Sequence, residues 1–361
     1  MVVVARTGVI FLTILAAGSG FFPNHAKAFG RKPPPHLVVA MGDSITVGTL
    51  ANTTSSPFLL RSRKPLERAM NSSASTEPIR EQAMADRSGW FDAWKRIQAE
   101  GLHALLSPLI YNQSTHSWVT GRLLDSHEVR IRQIWKARGR NSSQLQALNL
   151  AVPGAEASGL IEQASRLLAQ LEAARLENGG ESPRIEYLAM TIGANDSCNS
   201  TGGPVVPDEV FEAQMREALA LLSSGARAAG QGAADSVKVL ISAIPPVPAA
   251  GAPEFRSHEI LPGVTCEKVR QKLFRFCPNL LDWTDEAGFQ ERMELVRRKN
   301  AVLESLVRET RQTHPELEVA FGASVADARF EPEDLAIDCF HPDMSGQKML
   351  SEILWRDQPW Y

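Results

Sequence analysis

Leu37-Val38-Val39-Ala40-Met41-Gly42-Asp43-Ser44 decides the fold, because five unbroken apolar residues run straight into a glycine and two small polar side chains. A strand with one wet face alternates polar and apolar residues. A strand covered on both faces reads as a continuous apolar run, as in a parallel sheet. Residues 147–152, 185–192 and 237–244 read the same way, and 317–321 adds a late strand or strand extension. Helical patterns lie between them. Residues 158–177 are rich in Leu, Ala and Glu and stop at Asn178-Gly179-Gly180, a fitting helix terminator. Residues 207–229 repeat that pattern, 286–313 form a long amphipathic stretch, and 345–355 make a short final helix. Strands alternating with helices predict a three-layer α/β/α domain around a mostly parallel sheet.

Polar landmarks sit where these strand runs give out, and parallel sheets bind ligands at the carboxyl ends of their strands. Ser44 follows the first run and opens the next helix, where backbone N–H groups favour a developing oxyanion. Asp43 and Ser44 are also ordinary helix N-caps. Gly154 follows the second run after Pro153, and Asn195 follows the third within Gly193-Ala194-Asn195-Asp196. Each could donate a hydrogen bond to a substrate oxygen, and each is otherwise a common turn residue. Near the C-terminus stands Asp338-Cys339-Phe340-His341. An Asp three residues before a His can accept its ring N–H and fix the tautomer whose other nitrogen takes a proton. A serine beside that nitrogen becomes a usable nucleophile. Asp43, Asp196, Asp338 and His341 could instead form a mixed metal site. No second His lies near His341, no His-x-His spacing occurs, and none of these four residues belongs to an Asp-x-His pair, so no metal and no cofactor are expected.

The chain has 361 residues, 43% apolar and 22% charged, with a formal net charge of −3. That balance fits a soluble globular protein and leaves no electrostatic footprint for nucleic acid or anionic membrane. Residues 1–28 read as a signal peptide: Arg6 supplies the positive end, 8–22 are largely apolar, and Ala26-Lys27-Ala28 fits a cleavage site. An uncleaved anchor is the alternative, but Gly18, Gly20 and Pro23 interrupt a run that is short for a span. The expected mature chain, 29–361, is one domain, secreted or periplasmic, without a stable transmembrane anchor. Export gives Cys198, Cys266, Cys277 and Cys339 an oxidising compartment. Cys266 and Cys277 bracket a short loop and are expected to pair, leaving Cys198 for Cys339; buried thiols are the alternative. Two regions, around 49–141 and 245–282, are longer than the scaffold needs and read as insertions, possible lids or binding loops. The first carries Trp90, Trp94, Trp118 and Trp135, for which core packing outweighs a lipid-facing role.

Gly42-Asp43-Ser44, Gly154, Gly193-x-Asn195 and Asp338-x-x-His341 resemble blocks I, II, III and V of the SGNH (GDSL-type) hydrolases, in the family's order. The resemblance implies a flavodoxin-like domain and an esterase site with Ser44 as nucleophile, His341 as base and Asp338 as its orienter. It also implies an oxyanion hole made by the Ser44 N–H, the Gly154 N–H and the Asn195 side chain. Ile45 stands where the family name has Leu, and Ala194 where many members have a second Gly; neither is a reacting group. The strings 149–155 and 191–198 are most similar to the secreted phospholipase B-like and lipase branch. No Gly-x-Ser-x-Gly is centred on Ser44, which speaks against an α/β-hydrolase. The expected activity is a secreted serine carboxylester hydrolase acting on acyl esters of lipids. The alternatives are an exported O-acetyl esterase of polysaccharide or cell-wall glycan, and a non-catalytic binding protein, which the complete set of reacting groups disfavours.

Overall fold

In the computed structural model the apolar run becomes β1 (His36–Gly42), buried along its whole length after His36. β1 lies between β2 (Leu145–Asn149) and β3 (Arg184–Thr191), and β4 (Val237–Ser242) and β7 (Leu317–Gly322) extend the sheet. All four pairings are parallel, in the order β2-β1-β3-β4-β7. Counted along this sheet alone the order is 2-1-3-4-5, that of the flavodoxin-like doubly wound fold. Burial on both faces explains the unbroken apolar runs. Each fully buried Val of β1, Val38 and Val39, contributes roughly 1.5–3 kcal/mol over an exposed position. The structure describes residues 33–51, 115–198, 204–272 and 276–361. Residues 1–28 and Trp90 and Trp94 lie outside them.

The expected helices appear with small shifts at their ends. α1 is a single turn (Ser44–Val47), and α2 is His127–Ala137. α3 (Ala157–Glu177), α5 (Asp208–Ala228) and α9 (Glu286–Thr313) pack side by side on the sheet. α2 and α10 (Met344–Asp357) form the other group, joined where His127 Nε2 meets the Ser351 carbonyl at 3.1 Å. The second strand is shorter than its apolar run, ending at Asn149 rather than Val152. Even so, Leu150 N donates to Ala40 O and Val152 N to Gly42 O, so the chain follows β1 past the formal strand end. Trp118 and Trp135 are fully buried in the main core, the outcome expected of them.

The segment between β4 and α9 folds into a set of small elements. Those named here are α6 (Pro253–Ser257), the hairpin β5–β6 (Glu259–Leu261 and Val264–Thr265), α7 (Cys266–Lys272) and α8 (Pro278–Leu281). Its cysteines correct the expected pairing. Cys266 bonds to Cys339 and Cys277 to Cys198, with Cα–Cα separations of 5.5 and 4.7 Å. Nearness in sequence misled because Cys266 opens α7, and a helix of that length carries the chain about 10 Å onward before Cys277. The inserted segment is therefore tied separately to two loops at the sheet's carboxyl edge. Among the described residues, no helix is long and apolar enough to cross a membrane.

Candidate active site

The strand order reverses between β1 and β3, and the loops after these two strands flank the crevice where such folds bind ligands. β1 ends at Gly42 with φ of +116°, and a Cβ there would lie 2.1 Å from Thr191 O. Only glycine lets β1 run this close to β3, and the chain then turns so that Asp43 N donates to Thr191 O. Asp43 caps α1 by accepting from Ile45 N at 2.9 Å, so the N-cap reading of this pair holds alongside any chemical one. Ser44 opens a helix of one turn, too short for the dipole to matter greatly; its hydroxyl is what the fold presents.

His341 reaches that hydroxyl from 297 residues away, its Nε2 standing 2.8 Å from Ser44 Oγ. On the other side of the ring, Nδ1 meets Asp338 Oδ2 at 2.5 Å. Asp338 Oδ1 accepts from Phe340 N and His341 N, both at 3.0 Å, which fixes the carboxylate against its own loop. Serine, imidazole and carboxylate are all buried and stand in line, and the arrangement can move a proton from the hydroxyl to the ring. Arg270 of α7 supports the loop from beneath, its Nη2 donating to Cys339 O at 2.7 Å and to Ala250 O at 2.5 Å. Burial pulls the Arg270 guanidinium down to about 10, while the Asp338 charge pushes the other way.

The two remaining site residues meet at the same edge. Gly154 sits in a turn with φ of +79°, and Val152 of that turn is bonded to Gly42 O. Asn195, in the one-turn helix α4 (Ala194–Ser197) after β3, gives one amide hydrogen to Ala155 O at 2.9 Å. A primary amide carries two hydrogens, so the second remains for a ligand. Asp196 does not face the ring. Both its oxygens accept from Ala157 N at 3.1 Å, supplying the N-terminal cap that Glu156 does not give α3. The donor set Asp43, Asp196, Asp338 and His341 is thus distributed over separate tasks. Among the described residues, no group of three or more His, Cys, Asp or Glu could hold a metal ion.

Sequence reading missed the residues that hold Ser44 in place. Gln163 of α3, fully buried, accepts from Gly42 N at 2.7 Å and donates to Gly42 O at 2.8 Å. Gln347 of α10 donates to Ile45 O and accepts from Trp118 N, both at 3.0 Å. Thr46 Oγ1 accepts from Thr191 N, and Ser117 Oγ donates to Thr46 O. A signal existed for the two glutamines: each interrupts the buried stripe of its helix, Gln163 among Leu160, Ala164 and Leu167, and Gln347 among Leu350 and Leu354. Asp43 is left less well served than Asp338. Its Oδ2 is buried without a hydrogen-bond partner. Burial drives its carboxyl up to about 7 against the Ile45 N–H and His341, with Asp196 adding to the rise. Asp196 is also raised to about 7 by burial, against its bond to Ala157.

A flavodoxin-like sheet with these loops at its carboxyl edge is the ground plan of the SGNH hydrolases. The chain belongs to the GDSL-like lipase/acylhydrolase family, which it matches over residues 38–354, and it is a carboxylic ester hydrolase. A search of curated proteins finds no match. Among solved structures it is similar to TesA, with 13% identity over 89% of this chain and 97% of that one and a TM-score of 0.38. It is also similar to an α/β hydrolase enzyme from the metagenome of Lake Arreo, Spain (13% identity, 91% and 97% covered, TM-score 0.35). A third is an acetyl xylan esterase from Geobacillus stearothermophilus, with 12% identity, 91% and 96% covered and a TM-score of 0.31. Likeness at this level carries no substrate across.

Proposed function

We propose that the chain is an exported serine esterase that cleaves acyl esters of lipid character through an acyl-enzyme, with Ser44 as nucleophile, His341 as base and Asp338 as orienter. The observation that carries this reading is the continuous line from Asp338 Oδ2 through the His341 ring to Ser44 Oγ. His341 Nε2 takes the Ser44 proton as Oγ adds to the ester carbonyl, and Asp338 stabilises the imidazolium. Asn195, Gly154 and the Ser44 N–H hold the oxyanion, each donor worth about 3 kcal/mol. The alcohol leaves with the proton from His341, a water gives its proton to the same nitrogen, and the acyl group is released as acid. Two disulfides and the apolar, Ala26-Lys27-Ala28-terminated leader support export.

The test is hydrolysis of chromogenic esters of increasing acyl length beside a phospholipid and an acetylated glycan, with Ser44→Ala as control. Cleavage of the esters or the phospholipid that falls by at least ~10³-fold in Ser44→Ala is the expected result. Turnover of the glycan alone would overturn the lipid reading, and a fully active Ser44→Ala would remove Ser44 from its role.

A further inference from the structure

Two phenylalanines, Phe276 and Phe340, flank the catalytic histidine. Phe340 packs edge-on to the His341 ring with centroids 4.9 Å apart, and Phe276 does so at 5.6 Å. The two phenylalanine rings lie 5.5 Å from each other. Both are partly exposed whereas His341 is buried, so the pair forms the outer surface of the three-ring cluster. Neither position is incidental to the backbone. Phe276 immediately precedes Cys277, which is bonded to Cys198, and Phe340 immediately follows Cys339, which is bonded to Cys266. Cys277 and Cys339 have φ of +46° and +58°, a left-handed conformation that L residues adopt rarely and that persists only where the surroundings enforce it. The cross-links thus hold the chain in unusual turns at the two points where it presents an aromatic ring to His341.

From this geometry we infer that Phe276 and Phe340 form the recognition wall for the alcohol part of the ester and select alcohols that are apolar next to the ester oxygen. The inference rests on Ser44 and His341 acting as proposed above. In the tetrahedral intermediate four groups leave the reacting carbon: Ser44 Oγ, the oxyanion, the acyl chain and the departing oxygen. The oxyanion is directed to the Asn195 and Gly154 side. The departing oxygen must come within hydrogen-bond reach of His341 Nε2, since that nitrogen supplies its proton. Carbons attached to that oxygen therefore pass the rings that border His341, while the acyl chain points elsewhere. A phenylalanine offers area and no hydrogen-bonding group. An alkyl chain loses nothing there, whereas a sugar would leave hydroxyls unpaired, a penalty that discriminates strongly.

The experiment uses two ester series on the whole protein. One fixes a butyryl group and lengthens the alcohol from ethyl to octyl, with acid release followed by titration; the other fixes 4-nitrophenol and lengthens the acyl chain. For Phe276→Ala, the octyl-over-ethyl ratio of kcat/KM is expected to fall by ~10-fold, with the acyl series scaled by a common factor. Phe340→Leu trims the second ring in a milder way, should shift the same ratio in the same direction, and decides the matter if Phe276→Ala does not fold. A loss that follows acyl length, or one uniform across alcohols, overturns the inference, as does a wild type that prefers a sugar alcohol over octanol. Those results differ from failure of the underlying reading, in which wild type cleaves neither series.

Discussion

The loop that carries Ser44 and the loop that carries His341 end at one site but are built by opposite means. The Ser44 loop leaves an interior strand of the sheet, β1, with β2 on one side and β3 on the other. Neighbouring backbone already frames it, and side-chain amides and hydroxyls complete the hold: Gln163 on Gly42, Gln347 on Ile45, Thr46 against Thr191. The His341 loop does not leave a strand directly, because two short 3-10 turns separate it from the end of β7 at Gly322. It is closed on itself by the Leu335–Pro342 bridge and the Ala336 N to His341 O bond. The Cys266–Cys339 disulfide, the Arg270 contact to Cys339 O and the packing of Ile337 with Leu261, Val264 and Val269 fix it to the rest of the protein. Where the sheet supplies the frame, hydrogen bonds suffice; where it does not, a covalent link and a buried cation take over.

The largest effect should come from cutting that covalent link. The two cysteines are 73 residues apart, and closing a loop of that size is worth about 4 kcal/mol through the unfolded chain. The Cys266→Ser and Cys339→Ser double variant is expected to lose about that much in denaturant unfolding. Its kcat should fall at least ~10-fold, because the His341 loop then keeps only the Arg270 contact and the packing of Ile337 to place it. A variant that unfolds earlier yet keeps full kcat would show that the disulfide stabilises the fold without positioning His341.

A smaller effect is expected from a poorly satisfied carboxylate on the Ser44 side, Asp43. Its carboxyl keeps a proton up to about 7 when folded, against an ordinary 3.8. Between those values the native state binds more protons than the unfolded chain, so its contribution to stability is complete below 3.8 and is lost as pH rises to about 7. The part of it lost between pH 5 and pH 8 is on the order of 3 kcal/mol. Asp43→Asn retains an oxygen for the Ile45 N–H, and its stability should decline less between pH 5 and pH 8 than that of wild type. Parallel curves for the two proteins would mean that Asp43 does not titrate in this window.

The two loops were also unequally legible in the sequence. The Ser44 side declared itself through an unbroken apolar run ending in Gly-Asp-Ser, because burial on both faces leaves a plain mark on composition. Asp338 and His341 could be paired because three residues is a distance one turn of loop can close. Helices 286–313 and 158–177 were readable from periodicity and terminators for the same local reason. The disulfide partners were not, since pairing depends on where α7 and α8 carry the chain, and local spacing does not encode that path. Arg270 was equally hidden: a lysine- and arginine-bearing turn reads as a solvated face until the fold places a carbonyl above it. Gln163 lay between these cases, visible as a polar residue in an apolar stripe but silent about its partner.

Gln163 therefore gives the finest test of the contrast. Its amide satisfies both backbone groups of Gly42 from across 121 residues. Gly42 O has a second donor in Val152 N, so loss of the glutamine orphans the N–H more than the carbonyl. An orphaned buried donor costs about 1–3 kcal/mol. Gln163→Glu keeps an acceptor for Gly42 N and should lose less than Gln163→Leu, provided the measurement is made at a pH where the buried carboxyl stays neutral. If the hydrogen bonds position Ser44 as the disulfide positions His341, kcat should fall a few-fold in Gln163→Leu with KM nearly unchanged, and Gln163→Glu should restore part of it. If both variants lose stability equally and kcat stays at the wild-type value, the pairing of β1 with β2 and β3 is sufficient to place Ser44. The amide clamp then serves the fold alone, and the two loops differ in more than the means of their attachment.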